Sequence, residues 1–161
     1  AASEIEKVYI DMNDIVNDYN ILSKSTEILI TEGNGGLLTP LTDELFTLHI
    51  PLMLKLPVVF VVNQSNDSLN AYLNELSTAY KAGLEVAGVI INKYKTAAKS
   101  GGAENFSELL ERFSKAKVLG RINVLKNKSI KPDELFTEIL SGLKLQEVLK
   151  MEIPKLDLCY S

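Results

Sequence analysis

Residues 28–41 read Ile28-Leu29-Ile30-Thr31-Glu32-Gly33-Asn34-Gly35-Gly36-Leu37-Leu38-Thr39-Pro40-Leu41, a short apolar run followed by a glycine-rich loop. The apolar run predicts a buried β-strand over residues 27–31. Glycine lets the backbone adopt positive φ and approach a ligand closely, and Glu32 places one carboxylate at the mouth of the loop. This pattern suits a phosphate or metal site. It equally suits an ordinary turn after a strand, in which Glu32 is only solvated.

Three further segments are predicted to be strands, and the first of them, residues 57–62, has the composition of a strand buried on both faces of a parallel sheet. Each is a short apolar run followed by residues with helical spacing, which is the pattern of βα units. The four predicted strands cover residues 27–31, 57–62, 86–91 and 117–122. We therefore expect an α/β fold with a parallel sheet of at least four strands, flanked by helices.

Helices are predicted before and after the glycine-rich loop. The first runs from a capping box at residues 3–6 to Tyr19, and the aspartates on its polar side are assigned to solvent. The second is predicted over residues 42–50, because Pro51 should end or kink it. His49, the single histidine of the chain, falls in this second helix. Without a second histidine or a cysteine partner it is interpreted as structural.

Three more helical patterns follow the later strands. One begins near Asn70 and ends at Gly83, which is suited to a C-cap. Another covers residues 104–114, and the last begins with Pro132 at its first position and acidic residues in its first turn.

The composition excludes several function classes. The 17 basic and 21 acidic residues give a net charge of −4, so no basic surface for nucleic acid is expected. The single cysteine, Cys159, allows neither an internal disulfide nor a thiolate zinc site, which favours a cytoplasmic protein. No apolar run approaches the ~18 residues that a membrane helix needs. A length of 161 residues predicts a single α/β domain.

Three segments together resemble the dethiobiotin synthetase family, in order and in spacing. They are the glycine-rich stretch quoted above, Leu56-Pro57-Val58-Val59-Phe60-Val61-Val62, and Gly83-Leu84-Glu85-Val86-Ala87-Gly88-Val89-Ile90-Ile91-Asn92. The resemblance implies a doubly wound sheet of the P-loop NTPase type. Members of the family carry an N-terminal P-loop ending in Gly-Lys-Thr, and these residues contain no such triplet. The resemblance therefore implies the C-terminal portion of a longer synthetase, inactive alone, with its catalytic residues in the other half.

The resemblance implies a ligase of biotin biosynthesis that uses ATP and magnesium. Such enzymes close the ureido ring of dethiobiotin from 7,8-diaminononanoate and carbon dioxide. One substrate amine takes up carbon dioxide as a carbamate, ATP phosphorylates the carbamate, and the second amine displaces phosphate. The implied partners are this small-molecule substrate and ATP, with no nucleic acid and no membrane.

The resemblance also assigns roles to individual residues. Glu32 would hold magnesium, and Asn92 would orient adenine, since an amide offers both a donor and an acceptor. Asn70 lies where the family binds the substrate carboxylate across a dimer interface, which implies a homodimer. The implied nucleotide-binding residues are Glu32, Gly33, Asn34, Gly35, Asn92, Lys93, Asn123, Val124 and Leu125.

The sequence departs from the family pattern at three places. His49 stands where aspartate is common, residues 66–71 keep only Asn70 of the motif Leu-Gly-Thr-Ile-Asn-His, and Asn123 replaces a proline. These departures leave an alternative open. The chain would then be a non-catalytic regulatory or structural module, similar to those fused at the N-terminus of long phosphotransacetylases. A Gly-Lys-Thr P-loop upstream would favour the enzyme.

Overall fold

The computed structural model of this chain describes residues 10–33, 35–64, 68–94, 106–124 and 132–149. These residues form helices that alternate with the strands of a small sheet. The elements in chain order are α1 (Met12–Ser25), α2 (His49–Leu54), β1 (Val58–Asn63), α3 (Ser68–Lys81), β2 (Val86–Tyr94), α4 (Phe106–Ser114), β3 (Val118–Asn123), α5 (Pro132–Gly142) and α6 (Leu145–Leu149). No helix in these ranges is both long enough and apolar enough to cross a membrane.

The sheet has the order β1-β2-β3 and is parallel throughout, which confirms the predicted α/β class. Each strand begins within one residue of its predicted start. Strands β2 and β3 pair in parallel with Ile90 opposite Gly120 and Tyr94 opposite Asn123. Their register shifts twice, between Val89 and Ile90 and again between Ile91 and Tyr94.

The chain divides into two compact units, Ala1–Val58 with Ser77–Glu85 and Val59–Leu76 with Val86–Ser161. In the second unit the core is formed by apolar side chains of the strands, of α3 and of α4, and alternate strand residues point to the same face. Its most deeply buried members are Val62, Leu76, Val89, Ile91, Leu110, Val118 and Leu119. In the first unit, the buried apolar side chains include those of Leu37, Leu48, Ala79 and Leu84. The expectation of a single domain stays a prediction.

Residues 27–31 do not form a β-strand, so this part of the sequence prediction is wrong. Within the described ranges, residues 27–33 make no hydrogen bond to a neighbouring strand, and the sheet has three strands rather than four or more. Ile28 and Ile30 are 45% and 80% exposed. A strand is stabilised by hydrogen bonds to a neighbouring strand and by packing of its side chains. In the described ranges residues 27–31 make no such hydrogen bonds, and two of their apolar side chains are exposed.

Helix α1 ends later than predicted, and its first described residue is Met12. Residues 1–9, with the proposed capping box, lie outside the described ranges. The observed N-cap is Asp11, whose carboxylate accepts a hydrogen bond from the backbone N–H of Asn13 at 2.8 Å. The helix then continues to Ser25, six residues beyond the predicted end at Tyr19. Asp11 therefore has a capping role that helical periodicity did not reveal.

The helix predicted over residues 42–50 forms instead at residues 49–54. The hydroxyl of Thr42 accepts from the backbone N–H groups of Glu44 and Leu45 at 3.3 and 3.1 Å. These are the bonds of an N-cap, but the Leu45 carbonyl accepts from the backbone N–H groups of Leu41 and Thr42 at 2.7 and 3.2 Å. In a helix that began at Thr42 this carbonyl would accept from His49, so the segment folds back on itself instead. Pro51 occupies the third position of the observed helix, where its missing N–H leaves no intrahelical bond unmade.

The outer edge of β3 is covered by the chain that follows α5. Gly120 forms an antiparallel bridge with Leu143, and the N–H of Lys144 donates to the carbonyl of Leu119 at 2.8 Å. An ion pair links Lys117, at the start of β3, to Glu147 in α6. The hydrogen bond that the Lys117 ammonium group donates to the Glu147 carboxylate holds the pKa of Glu147 below its usual range. The outer edge of β3 is therefore not open to a further strand.

Candidate functional site

The loop after Glu32 is shaped around glycine. A side chain at position 33 would place its Cβ 2.9 Å from the Thr47 methyl group. Gly35 has φ +82°, and a Cβ there would lie 2.7 Å from the Thr39 hydroxyl. Both positions therefore require glycine for packing within the loop itself. The carboxylate of Glu32 is exposed and makes no ion pair or hydrogen bond with the rest of the described chain.

Two threonines hold this loop in place. The carbonyl of Thr39 accepts from both the backbone N–H and the hydroxyl of Thr47, at 2.9 and 3.2 Å. The N–H of Leu48 donates to Leu37 at 2.9 Å, and Leu37, Thr47 and Leu48 are all buried. The segment following Glu32 is therefore held in one conformation by backbone hydrogen bonds and by buried side chains.

His49 begins α2 and is engaged in the same support. Its Nδ1 accepts a hydrogen bond from the backbone N–H of Phe46 at 2.8 Å. The imidazole also stacks on the Phe46 ring, with centroids 6.0 Å apart and an angle of 28° between the planes. These contacts support the structural interpretation of His49, because both hold the turn before α2.

Replacing His49 by alanine is expected to lower the free energy of unfolding by about 1 kcal/mol, since the backbone N–H of Phe46, in the turn before α2, loses its acceptor. His49→Asn restores a side-chain acceptor and is expected to recover most of that loss. Urea unfolding of the three proteins measures the difference. Equal stability of all three would contradict the role of His49 in holding this turn.

The carboxyl end of β2 is irregular at the residues predicted to contact the nucleotide. The register with β3 shifts between Ile91 and Tyr94, so Asn92 and Lys93 form a bulge. Bulges re-aim side chains and are frequent beside active sites. Lys93 has φ +53°, in the left-handed region that non-glycine residues rarely occupy.

The side chain of Asn92 stabilises this bulge. Its Oδ1 accepts from the backbone N–H of Lys93 at 2.8 Å, and its backbone carbonyl accepts from the N–H of Gln64 at 3.1 Å. Asn92 is partly buried, whereas Lys93 is exposed. These two bonds fix the Asn92 amide at the end of the strand. Among the contacts of the described residues, its –NH2 group is the donor that stays available to a ligand.

Asn123 and Val124 lie beside this bulge. Asn123 is opposite Tyr94 in the register, both Asn123 and Val124 are exposed, and Val124 is 43% accessible. The structure therefore brings Asn92, Lys93, Asn123 and Val124 to one end of the sheet, as expected for residues at the carboxyl ends of adjacent parallel strands.

Other predicted site residues are placed as follows. Asn34 and Leu125 lie outside the described residues. Asn70 is exposed in the first turn of α3. Glu32 and Asn92 belong to different units, so their convergence on one nucleotide stays a prediction.

Sequence patterns did not single out Arg121, which lies opposite Ile91 in β3. Its guanidinium donates to the hydroxyl of Ser107 from Nε at 3.0 Å and from Nη2 at 2.5 Å. Ser107 is fully buried in α4. This pair fixes α4 against the strand that ends at Asn123, and its only sequence signal is an arginine within an apolar strand.

A family model described as an AAA domain matches residues 1–129, and the chain belongs to this family. Within it, the chain is similar to ATP-dependent dethiobiotin synthetases BioD, which confirms the resemblance seen in the sequence. The Anoxybacillus flavithermus protein is 29% identical over 127 residues, covering 78% of this chain and 57% of its own length.

Two further relatives carry the same name. The Bacillus cereus (strain G9842) protein is 29% identical over 145 residues, which is 89% of this chain and 60% of the relative. The Clostridium perfringens protein is 28% identical over 151 residues, which is 92% of this chain and 61% of the relative. The chain thus spans about three fifths of the length of the curated relatives it matches.

Proposed function

We propose that the complete protein is an ATP-dependent dethiobiotin synthetase, a ligase of biotin biosynthesis, and that this chain supplies its base-binding end and one magnesium ligand. The substrate would be a 7,8-diaminononanoate that takes up carbon dioxide. The relatives named as ATP-dependent dethiobiotin synthetases, together with the family membership, support an ATP-dependent function.

The observation that carries the proposal is the bulge at Asn92 and Lys93. It presents a fixed amide at the carboxyl end of a parallel strand, where ligands of open α/β sheets bind. The amide –NH2 group of Asn92 would donate to a ring nitrogen of adenine. Asn123 and Val124, at the adjacent strand end, would line the purine.

Glu32 fits magnesium of the kind that accompanies nucleotides. Mg²⁺ binds oxygen ligands, often only one or two carboxylates together with substrate phosphates and water. Glu32 is an exposed carboxylate beside a glycine loop, and no group of three acidic, histidine or cysteine side chains occurs in the described ranges. When bound, the metal would neutralise phosphate charge. Gly33 and Gly35 would let the backbone approach the phosphates, and Asn34 belongs to the same proposed loop.

Asn70 would contact the substrate carboxylate, in a homodimer that uses the start of α3. Its exposure in the first turn is compatible with this role, since early N–H groups of a helix favour anions.

Asn92→Ala in the complete protein removes the proposed hydrogen bond from the amide to adenine. A loss of about 1.4 kcal/mol of binding energy corresponds to a factor of ten, so we expect the KM for ATP to rise about tenfold. The change should leave kcat less affected, since adenine is remote from the reacting phosphate. Gln146→Ala, at an exposed amide in α6, is the matched control. Steady-state kinetics with varied ATP measures both. If the two variants have the same KM, Asn92 does not bind the base.

The second candidate is a non-catalytic module. The structural contacts of His49 favour it, because the residue that replaces the family's aspartate holds a turn rather than facing a ligand. A module would fail to form dethiobiotin even with a Gly-Lys-Thr P-loop segment attached. Formation of dethiobiotin by the complete protein, followed by mass spectrometry, separates the two functions.

A further inference from the structure

The pairing of β2 with β3 contains two irregularities that cancel each other. Near its start the ladder pairs Val89 with Val118, and at its end it pairs Tyr94 with Asn123, so both ends have the same offset between the strands. Between these pairs, β3 first has one extra residue and β2 then has one extra residue. The middle of β3 is therefore displaced by one residue, although a regular ladder without extra residues would join the same two ends.

The irregular ladder places backbone strain at the proposed base contact. The extra residue of β2 lies in the bulge of Asn92 and Lys93, and Lys93 has φ +53°. This left-handed conformation is unfavourable for a residue other than glycine. A regular ladder would remove the bulge and would pair Asn92 directly with Arg121. Contacts outside the ladder must therefore stabilise the observed register.

Arg121 makes a contact of this kind. It belongs to the displaced middle of β3, opposite Ile91, and its guanidinium donates twice to the hydroxyl of Ser107, at 3.0 and 2.5 Å. Ser107 is fully buried in α4. A slip of one residue turns the side chains of a strand to the opposite face of the sheet. In the regular ladder the Arg121 side chain would point away from α4, and both bonds to Ser107 would be lost.

Helix α4 also holds β3 at a second place. The carboxylate of Glu111 accepts a hydrogen bond from the backbone N–H of Val118 at 2.8 Å. Ser107 and Glu111 are four positions apart, so they lie on the same face of α4. Val118 belongs to a pair that both ladders share, whereas Arg121 belongs to the displaced part. The bonds of Arg121 are therefore side-chain contacts that form in the observed register and not in the regular one.

We propose that Arg121 is a positioning residue for the base-binding end of the complete protein. Its bonds to Ser107 keep the middle of β3 displaced, and this displacement maintains the bulge in β2. The bulge in turn keeps the Asn92 amide directed at the base of a nucleotide. Arg121 acts through Asn92 and not by touching the nucleotide. The contact with a base rests on the proposed function, whereas the role of Arg121 in the register does not.

A thermal comparison without nucleotide tests the register. Lys93→Gly is expected to raise the thermal midpoint of the complete protein by about 3 °C, because glycine adopts positive φ without strain. In the Arg121→Met protein, where the ladder becomes regular, the same change should lower the midpoint, since glycine weakens the interior of a strand. Lys55→Gly is the control, at an exposed lysine after α2 with the same φ of +53°. It should raise the midpoint equally in both proteins, and equal effects of Lys93→Gly in both would overturn the proposal.

Equilibrium binding of ATP, measured by isothermal titration calorimetry, tests the positioning of the amide. Arg121→Met is expected to weaken ATP binding about tenfold, the same loss that is expected of Asn92→Ala. The two changes together should weaken binding no further, because they act on one contact. Ser107→Ala removes the same bonds from the side of the helix and should reproduce the tenfold loss. Arg112→Met, which removes an exposed arginine from α4, is the control and should bind ATP normally.

The outcomes separate this proposal from the proposed function. A hundredfold loss in the double variant, or unchanged ATP binding by Arg121→Met or by Ser107→Ala, would mean that Arg121 does not act through Asn92. If the complete protein does not bind ATP, the proposed function is wrong. The thermal comparison then still decides whether Arg121 holds the register of β2 and β3.

Discussion

Replacing Glu32 by glutamine in the complete protein is expected to lower magnesium-dependent turnover on the order of 100-fold. A metal at a transferring phosphoryl group contributes several kcal/mol, and each 1.36 kcal/mol corresponds to a factor of ten in rate. A neutral amide keeps the shape of the side chain but does not offset the charge of the metal. The measurement is the rate of dethiobiotin formation over a magnesium titration, in which the variant should also require more magnesium for half-maximal rate.

Glu27→Gln is the control for this experiment. Glu27 is an exposed carboxylate in the same irregular segment, five positions before Glu32, so its substitution changes the net charge equally. We expect Glu27→Gln to behave as the unaltered protein does. If both variants lose the same activity, or neither does, Glu32 is not a magnesium ligand.

Replacing Gly88 by alanine is expected to lower the free energy of unfolding by about 3 kcal/mol or more. Gly88 has φ +154°, and a Cβ there would lie 2.6 Å from the backbone carbonyl oxygen of Lys117 and 2.6 Å from Cγ of Leu119. Backbone strain and overpacking each cost about 1–3 kcal/mol. Val89, the next residue, donates its N–H to the same Lys117 carbonyl at 2.8 Å, so the pairing of β2 with β3 leaves little room for movement.

Gly83→Ala separates these two contributions. Gly83 also has positive φ, at +82°, but a Cβ there would meet nothing within 4 Å. The cost of this change should be only the backbone term, about 1 kcal/mol. Urea unfolding followed by circular dichroism compares the variants. If Gly88→Ala lowers the free energy of unfolding no more than Gly83→Ala does, β3 moves to accommodate the added methyl group.

The three observed strands could be predicted closely because each apolar run pairs with a neighbouring strand of the sheet. Residues 27–31 have a similar composition, yet the strand predicted there does not form. Composition indicates that a segment is suited to a strand, but it does not show whether a neighbouring strand is present to pair with it. The helix predicted at residues 42–50 failed for a local reason. The Leu45 carbonyl accepts from the backbone N–H groups of Leu41 and Thr42 rather than from a residue one turn later, and apolar spacing carries no information on that backbone bond.

The candidate site was predictable in residue type but not in geometry. Asn92 could be selected because it follows a buried strand and matches a family motif. The bulge that fixes it depends on the register of β2 against β3, which joins residues distant in sequence. Arg121 and Ser107 were missed for the same reason, because they are 14 positions apart and meet only when α4 packs on β3.

The outer edge of β3 is already hydrogen-bonded, which limits where a further strand could join this sheet. With Leu143 and Lys144 bonded along that edge, an added strand there would first have to displace the chain after α5. Insertions accepted at that side during evolution would accordingly lengthen loops and helices without widening the sheet. Ancestral or engineered members with more strands should have gained them beyond β1, so the sheet enlarges from one side only.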